Sequence, residues 1–251
     1  MAHYVAWVAA FAARYGEQVA VYQIWDEPNI SPHWGDRSPD PAAYTAMLQS
    51  SYRAIKAADA DAWVLTAGLA PTTESSDRNM SEVAYLRGMY DAGAAGAFDA
   101  VAAKPYGFWS GPEDRRVDAG VLNYSRLILL RETMVQYGDG VKSIWAVEMG
   151  WNALPPGWTG APSPWGTDDT PKQADRTLWA LQRARAEWPW LPVICLARLQ
   201  PPAAPDDPAT GFALLEPDGA PRLLYDTLRA YLASPEAQAV TPPRPNRRGF
   251  W

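Results

Sequence analysis

At 251 residues, with 48% hydrophobic and 20% charged positions, the chain is long enough for a sizeable core and too apolar to be disordered as a whole despite its 24 prolines. Its 22 basic and 28 acidic residues give a formal charge of −6 without any Lys/Arg run, which excludes a surface built to track a phosphate backbone and argues against a nucleic-acid partner. The lone Cys195 and the two histidines, His3 and His33, exclude an internal disulfide and a His/Cys zinc cluster, and no apolar run approaches the eighteen or so residues of a membrane span.

In chain order, Tyr4, Val8, Phe11 and Tyr15 fall at helical spacing and Gly16 follows as a stop, so the chain opens on a helix over about 3–15. The run Val19 to Trp25 is short and β-branched, which predicts a buried strand leaving through Asp26-Glu27-Pro28-Asn29. Asp40 reads as an N-cap with Pro41 at the first helical position, and Tyr44, Leu48, Ser51 and Ile55 trace one helix face. A strand from Trp63 to Ala67 comes next. The alternation continues with a helix over Ser81 to Asp91, a strand over Phe98 to Ala103, a helix over Gly120 to Tyr137 and a strand over Ser143 to Val147. Thr170-Pro171 opens a further helix reaching Glu187, Leu191 to Leu199 reads as the fifth strand, and Pro221 to Leu232 is the closing helix.

Five apolar strands, each between helices, predict an α/β fold with a parallel sheet, either open or closed as a barrel. Ligands of such sheets sit at the C-terminal ends of the strands, which here carry long loops rich in Pro, Gly, Asp and Trp. Residues 1–235 are expected to form one barrel-type segment and 236–251, rich in Pro and Arg, a flexible tail.

Two strand ends carry carboxylates: Glu27 after the first strand and Glu148 at the end of the fourth. A pair of carboxyl groups at one rim supplies what glycosidic cleavage needs, one to protonate the leaving oxygen and one to attack the anomeric carbon. The 13 tryptophans and 12 tyrosines against 5 phenylalanines favour rings with a flat apolar face and a polar edge.

YQIWDEPNI resembles the W-N-E-P strand end bearing the acid/base glutamate of clan A glycoside hydrolases, and SIWAVEMGW resembles their E-F-G-W strand end bearing the nucleophile. FDAVAAKPYG is similar to the clan's D-x-V-x-x-H-P-Y strand, and GFALLEPDGAPRLLYDTLRAY to its closing turn and final helix. Families 39 and 5 are nearest in texture.

The resemblance implies a (β/α)8 TIM-barrel type fold, a retaining O-glycosidase with Glu148 as nucleophile and Glu27 as acid/base, and a carbohydrate substrate. It further implies sugar contacts from Trp25, Asp26, Asn29, Tyr106, Trp109 and Trp151, and neither cofactor nor metal. The three strands before the Glu27 strand have no counterpart after Met1, so the chain is expected to lack the first three βα units and to expose a sheet edge open to self-association. The sequence departs from the clan at Asp26, where an asparagine is usual, and at Lys104, where a histidine is usual, Lys104 being read as a solvated or ion-paired residue. The alternative is a catalytically impaired carbohydrate-binding pseudoenzyme or remnant. No address is legible in the chain: localisation is unknown, and a secretion signal would lie upstream.

Overall fold

The structure, a computed structural model, describes residues 2–202 and 204–239. The elements run α1 (Ala2–Tyr15), β1 (Val21–Gln23), β2 (His33–Asp36), α2 (Pro41–Ala58), β3 (Trp63–Leu65), α3 (Glu82–Asp91), β4 (Ala100–Ala103), α4 (Leu127–Gln136), β5 (Ser143–Met149), α5 (Thr170–Glu187), β6 (Val193–Leu196), α6 (Leu223–Leu232) and α7 (Pro235–Gln238). Five parallel strands form one sheet in the order β1-β3-β4-β5-β6. Val21, Tyr22 and Gln23 lie opposite Trp63, Val64 and Leu65, and Leu65 lies opposite Ala100. All four residues of β4 are buried, as expected for a parallel strand covered on both faces. Among the described residues no helix is long and apolar enough to cross a membrane.

The chain divides into two compact units, described separately; the first holds residues 2–104 and 128–145. There α2 begins as the sequence predicts: Asp40 Oδ1 accepts from the Ala43 N–H at 2.8 Å and Pro41 stands in the first turn. The buried face of α2 includes Tyr44, Leu48, Ser51 and Ile55. Tyr44 donates its hydroxyl to the Ile24 carbonyl at 2.9 Å and accepts from the Ala67 N–H at 2.6 Å, so one buried phenol ties α2 to the chain leaving β1 and β3. Burial pushes that hydroxyl far above the ordinary tyrosine range, so it serves only as a neutral bracket. Ser81 caps α3 through the Ala84 N–H.

The second unit holds residues 105–127, 146–202 and 204–239. Asp169 caps α5, accepting from the Lys172 N–H at 2.8 Å. Tyr106, Phe108 and Phe212 form one apolar cluster, and Ala174, Leu224 and Leu228 join α5 to α6 in another. Tyr124 packs between Trp151 and Trp188 and donates its hydroxyl to the Ala180 carbonyl at 3.1 Å.

Several boundaries differ from the sequence expectation. The helix expected from Gly120 starts later, because Asn123 Oδ1 caps the Arg126 N–H at 2.9 Å. The carbonyls of Asp118, Ala119 and Val121, which a helix would use, are taken by the Arg126 guanidinium. The final helix begins at Leu223 rather than Pro221, since Pro221 pairs antiparallel with Leu215. The short strand β2 and helix α7 have no counterpart in the expected elements, α7 being capped by Ser234. Of the tail expected over 236–251, residues 236–238 lie in α7 and 240–251 lie outside the described residues.

Candidate active site

In the first unit, the chain leaving β1 keeps its parallel path beside β3: Ile24 N–H donates to the Leu65 carbonyl at 3.2 Å and Glu27 N–H to the Gly68 carbonyl at 3.0 Å. Between these anchors the backbone takes positive φ at two non-glycine residues, 71° at Trp25 and 49° at Glu27. Such conformations cost on the order of 1–3 kcal/mol each and persist where surrounding contacts over-determine them.

Those contacts are ionic. Lys104, following β4, is buried, and its Nζ donates to Asp26 Oδ2 and Glu27 Oε1 at 2.8 Å each. Gln23 Nε2 reaches Asp26 Oδ1 at 3.1 Å, and His33 Nε2 lies 3.3 Å from Glu27 Oε2. Trp25 donates its indole N–H to the His33 carbonyl at 2.8 Å and meets Trp34 edge-on. Ligand atoms of Asp26, Glu27 and His33 gather within 4.8 Å of one another, a spacing that suits a cation. The Lys104 ammonium already stands against both carboxylates, however, and supplies that positive charge from the protein itself.

In the second unit, Glu148 is half-buried in β5, and Tyr106 donates its hydroxyl to Glu148 Oε2. Tyr106 stands beside the strand end through its parallel bridge to Gly150, with Gly107 N–H donating to the Gly150 carbonyl at 3.1 Å. Its ring is wedged among Phe108, Trp165 and Phe212 at centroid distances of 5.3 to 6.3 Å. A charged side chain in this strand is thus met by a phenol O–H set in an aromatic wall.

Two residues expected to touch sugar are buried and bound to loop backbone. Asn29 is fully buried; its Nδ2 donates to the Ala70 and Met80 carbonyls and its Oδ1 accepts from the Ala70 N–H, which braces the loop after β1. Trp151 is 1% exposed, its N–H bound to the Ser110 carbonyl at 2.7 Å. A Cβ on Gly107 would lie 1.8 Å from Trp151 Cε2, so only glycine lets the backbone pass that ring. Both residues are apolar or amide groups at strand ends, and sequence alone does not tell inward from outward there. Trp25 and Trp109, by contrast, reach the surface, Trp109 with 65% of its area exposed. Sequence reasoning noted Lys104 but missed its junction with two carboxylates; the only signal was a lysine ending an otherwise apolar strand.

Parallel strands covered by helices, with polar groups gathered at the strand ends, define the α/β class in which sites are built by the loops after the strands. No family model matches the sequence, and no curated relative was found. Among solved structures, a family 39 glycoside hydrolase from the gut symbiont Bacteroides cellulosilyticus WH2 matches with a TM-score of 0.63 at 20% identity, over 90% of this chain and 43% of its own. A family 39 enzyme from Xanthomonas axonopodis pv. citri gives 0.63 at 17% identity, over 91% and 45%; a family 39 β-xylosidase from Caulobacter crescentus gives 0.56 at 20%, over 90% and 46%. The chain therefore has the fold of the TIM-barrel glycoside hydrolases of clan A over the stretch matched, and spans under half the length of those solved chains.

Proposed function

We propose that this chain carries the catalytic carboxylates of a retaining glycoside hydrolase, with Glu148 as nucleophile and Glu27 as acid and then base. The observation that carries this reading is the Tyr106 hydroxyl held on Glu148 Oε2 at a strand end of a glycosidase-type fold. In the first step the Glu148 carboxylate attacks the anomeric carbon while the bond to the leaving oxygen breaks and Glu27 delivers a proton to that oxygen. In the second step a water gives its proton to Glu27, attacks the same carbon and releases the Glu148 carboxylate, so configuration is retained. Tyr106 fixes one nucleophile oxygen in place and spreads its charge before attack. Asp26 and Trp25 stand next to the acid as candidate sugar contacts, Asp26 as an acceptor of hydroxyl hydrogen bonds. The scheme requires the two carboxyl groups to lie about 5 to 5.5 Å apart during reaction.

A second reading, carbohydrate binding without turnover, is favoured by Lys104. With Oε1 of Glu27 on the ammonium and Oε2 beside His33, a leaving oxygen has to displace one of these partners before it can receive a proton. Incubation with 2-deoxy-2-fluoro glycosyl fluorides, followed by peptide mass spectrometry, separates the two. A glycosyl adduct on the Glu148 peptide is the expected result. Sugar binding with neither adduct nor hydrolysis of activated aryl glycosides would leave the second reading in its place.

A further inference from the structure

The aromatic series that begins at Glu148 continues away from it within the second unit. Tyr106 meets Phe108 edge-on at 6.3 Å, and Phe108 stacks on Trp109 at 5.6 Å with 27° between the rings. Phe108 holds a positive φ of 55°, its ring lies in the buried cluster, and Trp109 next to it is exposed. The Trp109 indole is backed by a buried ring and 65% exposed. The loop 152–169 approaches it at Gly166, where a Cβ would lie 3.0 Å from Trp109 Cδ1 and 3.1 Å from the Phe108 carbonyl oxygen, and where φ is 76°.

Between this indole and the loop lies a cleft of about 740 Å³, a size within the range of roughly 300–1,000 Å³ common for small-ligand sites. Trp158, whose N–H is fixed on the Ala161 carbonyl at 2.9 Å, lines it together with Pro155 and Pro156. Asp168 and Asp169 are among its lining residues. Asp168 is held in place by Arg176 Nη1 at 2.7 and 2.8 Å, and Asp169 by the α5 backbone. Among the described residues no lysine or arginine lines the cleft itself, Arg176 and Lys172 being paired with the two carboxylates.

A ligand suited to this cleft presents a flat apolar face to an indole and donates hydrogen bonds to carboxylates, and it carries no negative charge. We propose that the cleft between Trp109 and Trp158 is a further sugar subsite for an uncharged oligosaccharide, one pyranose face lying on Trp109 and ring hydroxyls donating to Asp168 and Asp169. This rests on the hydrolase reading for its direction: Glu148 and Tyr106 take the bond to be cleaved, and Trp109 takes sugar units further along the chain.

Titration of Trp109→Ala, Trp158→Ala and Trp109→Tyr variants with neutral xylo-, cello- and manno-oligosaccharides, by calorimetry and by the indole N–H signals of 15N-tryptophan-labelled protein, tests the assignment. The alanine variants should lose roughly tenfold or more in affinity for the oligosaccharide that binds, while Trp109→Tyr retains most of it. The fluorosugar adduct on Glu148 is followed separately in the unchanged chain. Unchanged oligosaccharide affinity in both alanine variants, or tighter binding of a galacturonate oligomer than of every neutral one, would overturn the subsite while leaving the adduct test of Glu148 untouched. Sensitive binding without any adduct would uphold the subsite and remove the hydrolase reading instead.

Discussion

Glu27 and Glu148 look alike in sequence, each an acid closing an apolar run, yet the backbone that carries them differs. Glu27 sits on strained backbone at φ 49° and is surrounded by charge and imidazole: Lys104, Asp26 and His33. Glu148 lies inside the regular strand β5 and is met by a neutral hydroxyl in an aromatic cluster. Glu27 is held at a strained turn by an ion pair, and Glu148 is held in a regular strand with a phenol hydroxyl on one oxygen. Under the proposed mechanism the difference matters, because an acid/base must exchange a proton and change partners, whereas a nucleophile needs a fixed line of attack.

The sharpest way to break the comparison is to remove the carboxylates. If the proposed mechanism holds, Glu148→Gln lowers kcat on activated aryl glycosides by roughly 10³-fold or more, with folding unchanged by circular dichroism. Glu27→Gln should cost little on leaving groups that need no protonation and far more on alkyl glycosides. Equal losses on both substrate types would show that Glu27 does not act as an acid.

Tyr106→Phe keeps the ring among Phe108, Trp165 and Phe212 and removes only the hydroxyl on Glu148. A loss of roughly 10²-fold in kcat with KM little changed is expected if the hydroxyl steadies charge in the reaction. A rise in KM alone would assign Tyr106 to binding.

Lys104→Met leaves Asp26 and Glu27 facing one another without their shared ammonium. Removing one partner of a fully buried pair costs about 3–5 kcal/mol; with 46% of the Asp26 side chain exposed, a loss nearer 2 kcal/mol is expected in urea unfolding. Asp26→Asn added to Lys104→Met should restore part of it, since one of the two stranded charges is then gone. A stability equal to that of the unchanged chain would mean that the ionic cluster does not hold the strained turn.

The smallest effect concerns the loop after Tyr106. Hydrogen bonds from Arg116 above all, with Asn123 and Ser110 assisting, hold the Asp114 carboxyl well below the usual carboxylate range. A depressed folded-state pKa gives stability that is present above the unfolded value of about 3.9 and is lost as pH falls from there toward the folded value. Because Arg116 is exposed, the contribution is expected to be below about 1 kcal/mol. The stability gap between the unchanged chain and Asp114→Asn, measured by urea unfolding, should therefore close between about pH 5 and pH 2. A gap that widens over that interval would reverse the assignment.

What the sequence determined by itself is what depends on neighbours a few residues away. Asp40-Pro41 announced α2, and Pro171 announced α5 although its cap is Asp169, because a cap and a fixed proline φ act within one helical turn. Short β-branched runs ending in an acid located β1 with Glu27 and β5 with Glu148, because burial of a strand is written in its own composition. The fate of other side chains depended on groups far along the chain. Asn29 meets Ala70, Trp151 meets Gly107 and Ser110, and Arg126 strips a predicted helix of its first turn by taking its carbonyls. The junction of Lys104 with Asp26 and Glu27 belongs to the same class. It follows from sheet order, which sets β3 between β1 and β4 and so brings a lysine 77 and 78 positions away against two acids. Local propensity acts through the backbone of adjacent residues, while a charged partner is chosen by which strand ends share a rim, and only the folded chain decides that.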